Sequence, residues 1–426
     1  MAPAPGSSGT PAQPGAATPP GAPGLPGAPG APGGAEVLRR RNTALVLQAL
    51  RSGGPASRAE LAGRTGLAKA TVGVIAADLT AAGALRELSE PARPGERGRP
   101  GLRLTLEGGR PVGVGFEVNV EYVAAAVVDL AGVTRHAVTR AIASSDGGGA
   151  LDTLEALRAV AAETAAWLRA ADLALAGTTV ALPGLVGDDD RSVRWTPNLR
   201  LGAPQAVAEL VDAAFATPGR TRVSNDADCA AVAELRHGSG RGVVHLLYLT
   251  GTVGIGAGVI DDGRLVRGGR GFAGEVGHLP IGAPDAVCGC GRTGCWEASV
   301  GLHALLAATG LPERGTPVET AASVVAAAAD SAPVRAAVTE LGRRLGRGLA
   351  VVSGVLDPRA IVLGGYFVPL GGLVLQPAAA ELTAALATSH LAVPELRLGR
   401  LGTEAAATGA AERSLEALLA GAADLP

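Results

Sequence analysis

The spacing of apolar positions changes character twice along the chain. Between Val37 and Leu50 apolar residues recur at helical spacing and predict a first helix. Ser57-Arg58-Ala59-Glu60 then has the S-x-x-E form, in which a serine hydroxyl and a glutamate carboxylate satisfy the exposed backbone donors of a new helix. Gly66 supplies a turn, and Val72 and Ile75 mark one face of a further helix. Leu61, Ala62, Gly66, Val72 and Ile75 together have the spacing of a helix-turn-helix: a small residue where two helices cross, a turn glycine, and apolar anchors on the second helix. Ala84 to Leu88 and the period-two run Leu102 to Leu106 predict a hairpin wing, with Arg97-Gly98-Arg99-Pro100 near its tip. From Pro111 onward, runs rich in β-formers alternate with glycine turns and long alanine-rich helices, an α/β layout.

A chain of 426 residues exceeds the ordinary domain length of roughly 100 to 200 residues, so division into units is expected. Residues 1–35 carry no charged side chain, and 28 of them are proline, glycine or alanine; with almost nothing to bury, this tail is expected to be disordered. Residues 36–107 hold twelve basic against seven acidic side chains, whereas the remainder holds 25 against 32. The basic module, 36–107, is therefore expected to meet DNA, and the acidic one, 108–426, something else. Lys69 and Thr71, at the start of the second helix of the motif, are placed to face bases or phosphates, Arg58 to meet the backbone, and Arg97 and Arg99 to enter a narrow minor groove. Helix-turn-helix proteins commonly act in pairs, which implies a homodimer or higher homo-oligomer on an inverted-repeat operator. No apolar run approaches the roughly 20 residues that cross a bilayer, and the N-terminus lacks a signal-peptide layout; a cytoplasmic protein without membrane contact is expected.

The acidic module carries the sharper chemistry. Five glycine-bearing stretches follow one another: Val112 to Glu117, opening a strand that continues through Asp129; Leu182 to Gly187, with Thr196-Pro197-Asn198-Leu199 beyond it; Val223 to Asp228, leading into a helix that ends near Glu234; Leu249 to Gly258, a loop between strands suited to cradling an anion; and Gly274 to Glu297. The last contains His278, Cys288, Cys290 and Cys295. One imidazole and three thiols make a closed tetrahedral set for structural zinc, leaving no ligand position for substrate, and thiolate softness favours zinc over magnesium or calcium. Cys229 lies apart from them and is expected to be a small core residue.

Pro183-Gly184, Asn225-Asp226, Gly251 to Gly258, Glu275-x-x-His278, the three cysteines and Glu297, in this order, resemble the ROK family, a group of bacterial repressors, open reading frames and sugar kinases. The resemblance spans roughly residues 111 to 415 and implies a two-lobed, actin-like ATPase-domain (ribonuclease H-like) α/β fold behind the winged helix-turn-helix. It also implies that Gly184, Asn225, Asp226, Glu275, His278 and Glu297 surround a sugar, with His278 using one ring nitrogen on zinc and the other toward a hydroxyl. Kinases of the family need an Asp-x-Gly-Gly-Thr phosphate turn, which here falls on Glu117-Val118-Asn119-Val120-Glu121, without the glycines and the threonine. Backbone could not approach ATP phosphates there, and Glu121 adds like charge. The expectation is thus a sugar-responsive repressor of carbohydrate-use genes rather than an enzyme. The competing expectation is an active sugar kinase with an appended DNA-binding domain, in which Asp226 is the base.

Overall fold

The capping box at Ser57 forms. In the computed structural model the Ser57 hydroxyl accepts from the Glu60 N–H at 3.2 Å while the Glu60 carboxylate accepts from the Ser57 N–H at 2.7 Å. The structure describes residues 34–88, 102–142, 150–196, 199, 201, 206–217, 219–252, 254–387 and 389–424. Helix α1 (Gly34–Gly53) packs across α2 (Arg58–Thr65) and α3 (Lys69–Ala81), which are joined through Gly66 at φ 72°. Only the second half of α1 reaches the core, through Ala44, Val46, Leu47 and Leu50; Val37 and Leu38, expected on its apolar face, are exposed. Strands β1 (Ala56–Ser57), β2 (Leu85–Leu88) and β3 (Arg103–Leu106) pair antiparallel in the order β1-β3-β2, so the hairpin gains a third strand from the segment before α2. This arrangement is consistent with a three-helix unit and wing.

The rest of the described chain contains two five-stranded sheets of one topology. In the first, β4 (Pro111–Val118), β5 (Tyr122–Asp129), β6 (Thr134–Ala141), β7 (Ala174–Leu182) and β10 (Arg222–Asn225) stand in the order β10-β7-β4-β5-β6. Between β7 and β10 lies the small hairpin β8 (Leu185–Val186) and β9 (Val193–Trp195). In the second sheet, β11 (Leu246–Gly251), β12 (Ile255–Asp261), β13 (Arg264–Leu265), β14 (Ala360–Gly365) and β15 (Glu395–Leu398) stand in the order β13-β12-β11-β14-β15. Each sheet starts as an antiparallel meander of three strands and adds two parallel strands beyond its first. This repeated order is the two-lobed, actin-like architecture expected.

Helices α4 (Ala150–Ala170) and α5 (Ala206–Phe215) cover the outer face of the first sheet. Helices α7 (Glu297–Val300), α8 (Leu302–Thr309), α9 (Pro317–Asp330), α10 (Ala332–Leu356), α11 (Phe367–Leu370) and α12 (Gly372–Leu386) build the core on the outer face of the second. Between the sheets lie α6 (Asp226–His237), packed on β11 and β12, and α13 (Ala405–Ser414), packed on β4, β7 and α6. Gly113 and Gly115 of β4 permit the second contact, because a Cβ at either would stand 2.2 or 2.1 Å from a carbonyl oxygen of α13. The chain closes with α14 (Glu416–Leu419).

Two expectations are corrected here. Val112 to Asp129 is not one strand but the hairpin β4–β5, reversed at Asn119–Glu121, where the Asn119 N–H donates to the Tyr122 carbonyl at 2.9 Å. The turn contains neither glycine nor proline, so the apolar pattern runs through it unbroken. The helix expected to end near Glu234 continues to His237. A third finding concerns the unit proposed at 36–107: its apolar core is completed by Leu130 and by Leu415, Leu418 and Leu419 from the far end of the chain.

Candidate functional site

The carboxyl ends of parallel strands from both sheets meet at one cleft, where Asp226 after β10, Gly251 of β11 and Gly365 of β14 line a common space, the position at which α/β sheets bind ligands. On the first wall β7 runs into Pro183-Gly184, and a Cβ at Gly184 would lie 2.4 Å from the Trp195 carbonyl oxygen, so the loop lies directly against β9. At the end of β10, the Asn225 amide nitrogen donates to the Gly184 carbonyl at 3.1 Å, and its side-chain oxygen accepts from the Asp228 N–H at 3.1 Å. Asn225 thereby caps α6 and fixes the Gly184 loop at once. Asp226 opens the helix; burial pushes its carboxyl up to about 6 against the pull of nearby amides.

The second wall is built on β12. The turn Gly274–His278 lies flat on that strand: Gly274 has φ 94°, and a Cβ there would meet the Ala257 carbonyl oxygen at 2.3 Å. Glu275 is raised by burial first, then by the charges of Asp226, from the first wall, and Glu297. Glu297 accepts the Ile255 N–H at 2.7 Å through Oε2, while Oε1 meets Cys288 Sγ at 3.4 Å. The glycine loop expected to cradle an external anion thus has the amide at its end taken by the chain's own Glu297. Gly254 makes room for this, since a Cβ would stand 2.4 Å from Glu297 Oε2.

His278, Cys288, Cys290 and Cys295 converge, with their ligand atoms within 4.8 Å of one another. Cys290 and Cys295 sulfurs are 3.7 Å apart, as are Cys288 Sγ and His278 Nδ1. A tetrahedron with Zn–S near 2.3 Å places its sulfurs about 3.8 Å apart, so the donor set fits zinc in number, type and spacing. Burial resists ionisation of Cys290, but hydrogen bonds from Arg292 and the other thiols outweigh it and hold the thiol at about 7. Cys229 lies buried between the sheets with its thiol pushed up to about 12 by burial, a core residue as expected.

In the N-terminal unit, Lys69 stands exposed at the first residue of α3 and Thr71 is half-buried two residues on. Val74, on the next turn, is 63% exposed, an apolar position the sequence reading passed over. Arg58, expected to meet a DNA backbone, is held by Glu87 of β2 at 2.8 Å, a pair that the sequence separation of the two residues concealed. Arg97 and Arg99, like Pro197 and Asn198, lie outside the described residues.

Sequence reasoning also missed two charged constellations. Beside the Gly184 loop, Asp190 faces Arg267, Arg222 and Arg413. At the other end of α6, His237 Nε2 lies 2.8 Å from Glu412 of α13, whose second oxygen accepts from Arg51 of α1. Glu412, Arg413 and His237 sit in alanine-rich helices, where a buried charge leaves no periodic mark, whereas Asp190, Arg222 and Arg267 come from a turn, a strand and a loop far apart in sequence.

The sequence profile of the ROK family matches residues 114–416. A protein named putative xylose repressor, from Caldicellulosiruptor sp. strain Rt8B.4, is 28% identical over 354 residues, covering 80% of this chain and 86% of the relative. A glucokinase of Streptomyces coelicolor is 32% identical over 250 residues, covering 55% of this chain and 78% of the relative. Among solved structures, a ROK family transcriptional regulator described as a homologue of the E. coli Mlc protein superposes with a TM-score of 0.71 at 24% identity, over 90% of this chain and 98% of the other.

Proposed function

This chain belongs to the ROK family, and on that premise we propose that it is a sugar-responsive transcriptional repressor whose N-terminal unit binds DNA and whose two-lobed part senses the sugar. The observation that carries the reading is the extent of the repressor match. Eighty per cent of the chain is more than residues 114–426 supply, so that alignment enters the region of α1 to β3, whereas the glucokinase match covers 55%. The basic balance of 36–107 and the exposed Lys69 at the head of α3 support DNA as the partner of that unit.

Gly184, Asn225 and Asp226 from one wall and Glu275, His278 and Glu297 from the other would hold the sugar, because amides and carboxylates aimed from several loops suit hydroxyls that both donate and accept. A zinc ion on His278, Cys288, Cys290 and Cys295 would serve structure: it would fix the Cys288 loop against Glu297 and leave the second nitrogen of His278 for a sugar hydroxyl. A sugar that touches both walls favours a closed cleft by its differential affinity for that state. Helix α6 begins at Asp226 and ends at His237, which meets Glu412, which holds Arg51 of α1. Closure at one end of this rigid helix is thereby delivered to the DNA-binding unit at the other, and in this reading the sugar releases the operator.

The kinase reading retains Asp226 and the glucokinase similarity, but Glu117, Asn119 and Glu121 stand where its phosphate turn would be. Two assays decide. Operator binding by the full chain, titrated with a sugar panel, should weaken with the cognate sugar; unchanged affinity across the panel rejects the sensor. A coupled ATPase assay with the same panel should show no sugar-dependent turnover, and turnover would establish the kinase.

A further inference from the structure

A cavity of about 290 Å³, lined by Asp226 but by none of the other residues proposed for the sugar, opens between the β4–β5 turn and the start of α9. It lies just under the roughly 300 to 1,000 Å³ of ordinary ligand pockets, so its occupant is small. Its lining combines the apolar Pro317, Val318, Val368 and Pro369 with the carboxylates Glu117, Glu121 and Asp226. No lysine or arginine is among its described lining residues.

Glu117 is the telling member. It is 4% exposed, both of its side-chain hydrogen bonds, from the Tyr122 hydroxyl at 2.8 Å and the Asn119 amide at 3.3 Å, arrive at Oε1, and Oε2 has no hydrogen-bond partner. The Ala407 amide at the start of α13 lies near enough to draw the carboxyl down, without closing a hydrogen bond of good geometry on Oε2. Burial wins nonetheless and pushes Glu117 up to about 7. Burial, with the charges of Glu313 and Glu319 behind it, does the same to Glu121. A buried carboxylate oxygen without a donor is a costly arrangement that an incoming cation relieves.

The same features disfavour a phosphate. Of the helix starts that border the cavity, α6 is capped by Asn225 and α9 by the reciprocal pair Thr316 and Glu319, while that of α13, without a side-chain cap, has its Ala407 amide turned to the chain's own Glu117. A bare metal ion is disfavoured as well, since His278 and the three cysteines are the group of convergent ligand atoms found among the described residues and the cavity carboxylates are not part of it. What remains is a positive charge carried on a body that packs against the apolar part of the lining. We propose that this cavity binds a small organic cation, a protonated amine on a compact apolar frame, with Glu117 and Glu121 as its counter-charges. Because the cavity shares Asp226 with the sugar wall and lies between the lobes, its occupant would bear on the same cleft.

The test uses the full chain at pH 8 with benzylamine as the probe, benzyl alcohol as its uncharged counterpart, and magnesium AMPPNP as the phosphate-bearing competitor, each followed by calorimetric titration and melting temperature. Benzylamine should bind at least tenfold more tightly than benzyl alcohol, with no binding of magnesium AMPPNP. Glu117→Gln and Glu121→Gln should each weaken benzylamine several-fold, the second giving an independent reading at a half-buried position whose change leaves the core untouched. Equal binding of amine and alcohol, amine binding undiminished in Glu121→Gln, or no amine binding at all would overturn the proposal. Preferential binding of magnesium AMPPNP would overturn it too and would revive the kinase reading, whereas failure of the amine alone leaves the repressor reading intact.

Discussion

Arg51, on the first helix of the N-terminal unit, and Glu412, near the end of α13, form an ion pair in which neither side chain is more than 9% exposed. The two residues are 361 positions apart, and the contact welds the unit proposed to bind DNA to the helix that runs between the two sheets. His237 completes the joint from α6. Burial alone would raise the Glu412 carboxyl, but the His237 hydrogen bond and the Arg51 charge outweigh it and hold it below the ordinary carboxylate range. Around it, Gln48 donates to the Leu419 carbonyl and Arg40 pairs with Asp424 at 3.5 Å.

Breaking this joint should separate sensing from DNA binding. Removing one partner of a buried pair costs about 3 to 5 kcal/mol, because the other is left charged and unpaired. Glu412→Gln and Arg51→Met are expected to lower stability in urea denaturation, with the double variant less destabilised than the sum of the two. The folded variants should bind operator and sugar yet show a reduced effect of one on the other. Full retention of coupling in the double variant would remove the joint from the signal path.

The Glu297 seat should be sensitive to a single methyl group. Gly254→Ala places a Cβ against Glu297 Oε2 and is expected to displace it from the Ile255 N–H, so sugar affinity should fall at least tenfold while zinc content is kept. Gly269→Ala, in open space, serves as the control. Isothermal titration of both variants with the cognate sugar makes the comparison.

Zinc should be tightly held and structural. Metal analysis of protein purified without chelator is expected to return close to one equivalent per chain, and Cys290→Ser to lose most of it. Prolonged chelation should lower the melting temperature and weaken sugar binding through Glu297, whose Oε1 contacts Cys288. Metal-free protein with unchanged melting would contradict the assignment.

Glu117 should make stability fall as pH rises. Its folded value of about 7 lies above the ordinary 4.5, so the folded state binds its proton more tightly than the unfolded chain does, and that advantage is lost as pH climbs through the window between the two values. Glu117→Gln removes the titration and keeps an acceptor for Tyr122. The variant is expected to gain on the parent by up to roughly 3 kcal/mol at pH 8 and by little at pH 5, read from denaturation at both values. A gain that is independent of pH would show that ionisation of Glu117 is not its source.

In the unit proposed to bind DNA, Lys69→Ala should weaken operator binding and lower the slope of log K against log salt by about one. Val74→Ala should change sequence preference with little change in that slope, since an exposed apolar side chain on α3 can meet a thymine methyl but no phosphate. Arg58→Ala should have the smaller effect, because Arg58 is occupied by Glu87. Gel-shift titrations at several salt concentrations separate these outcomes.

Local chemistry was legible in the sequence wherever it was written in neighbouring residues. The Ser57–Glu60 box, the Gly66 turn and the run Cys288, Cys290 and Cys295 each depend on side chains a few positions apart, and His278 joins the cysteines from the same short stretch, so local spacing specifies what they can form. The two lobes were legible only through the resemblance of the ordered glycine-bearing stretches to the ROK family, not through their spacing. The tertiary structure decided the rest. It folded Val112 to Asp129 into a hairpin through a turn without glycine or proline, placed Glu297 on an amide that had looked free for a ligand, and turned Arg58 toward Glu87. It also brought Leu415, Leu418 and Leu419 into the core of the N-terminal unit and set Glu412 against Arg51. A buried charge in an alanine-rich helix has no period to reveal it, and its partner is chosen by how two sheets stack, which no local spacing encodes.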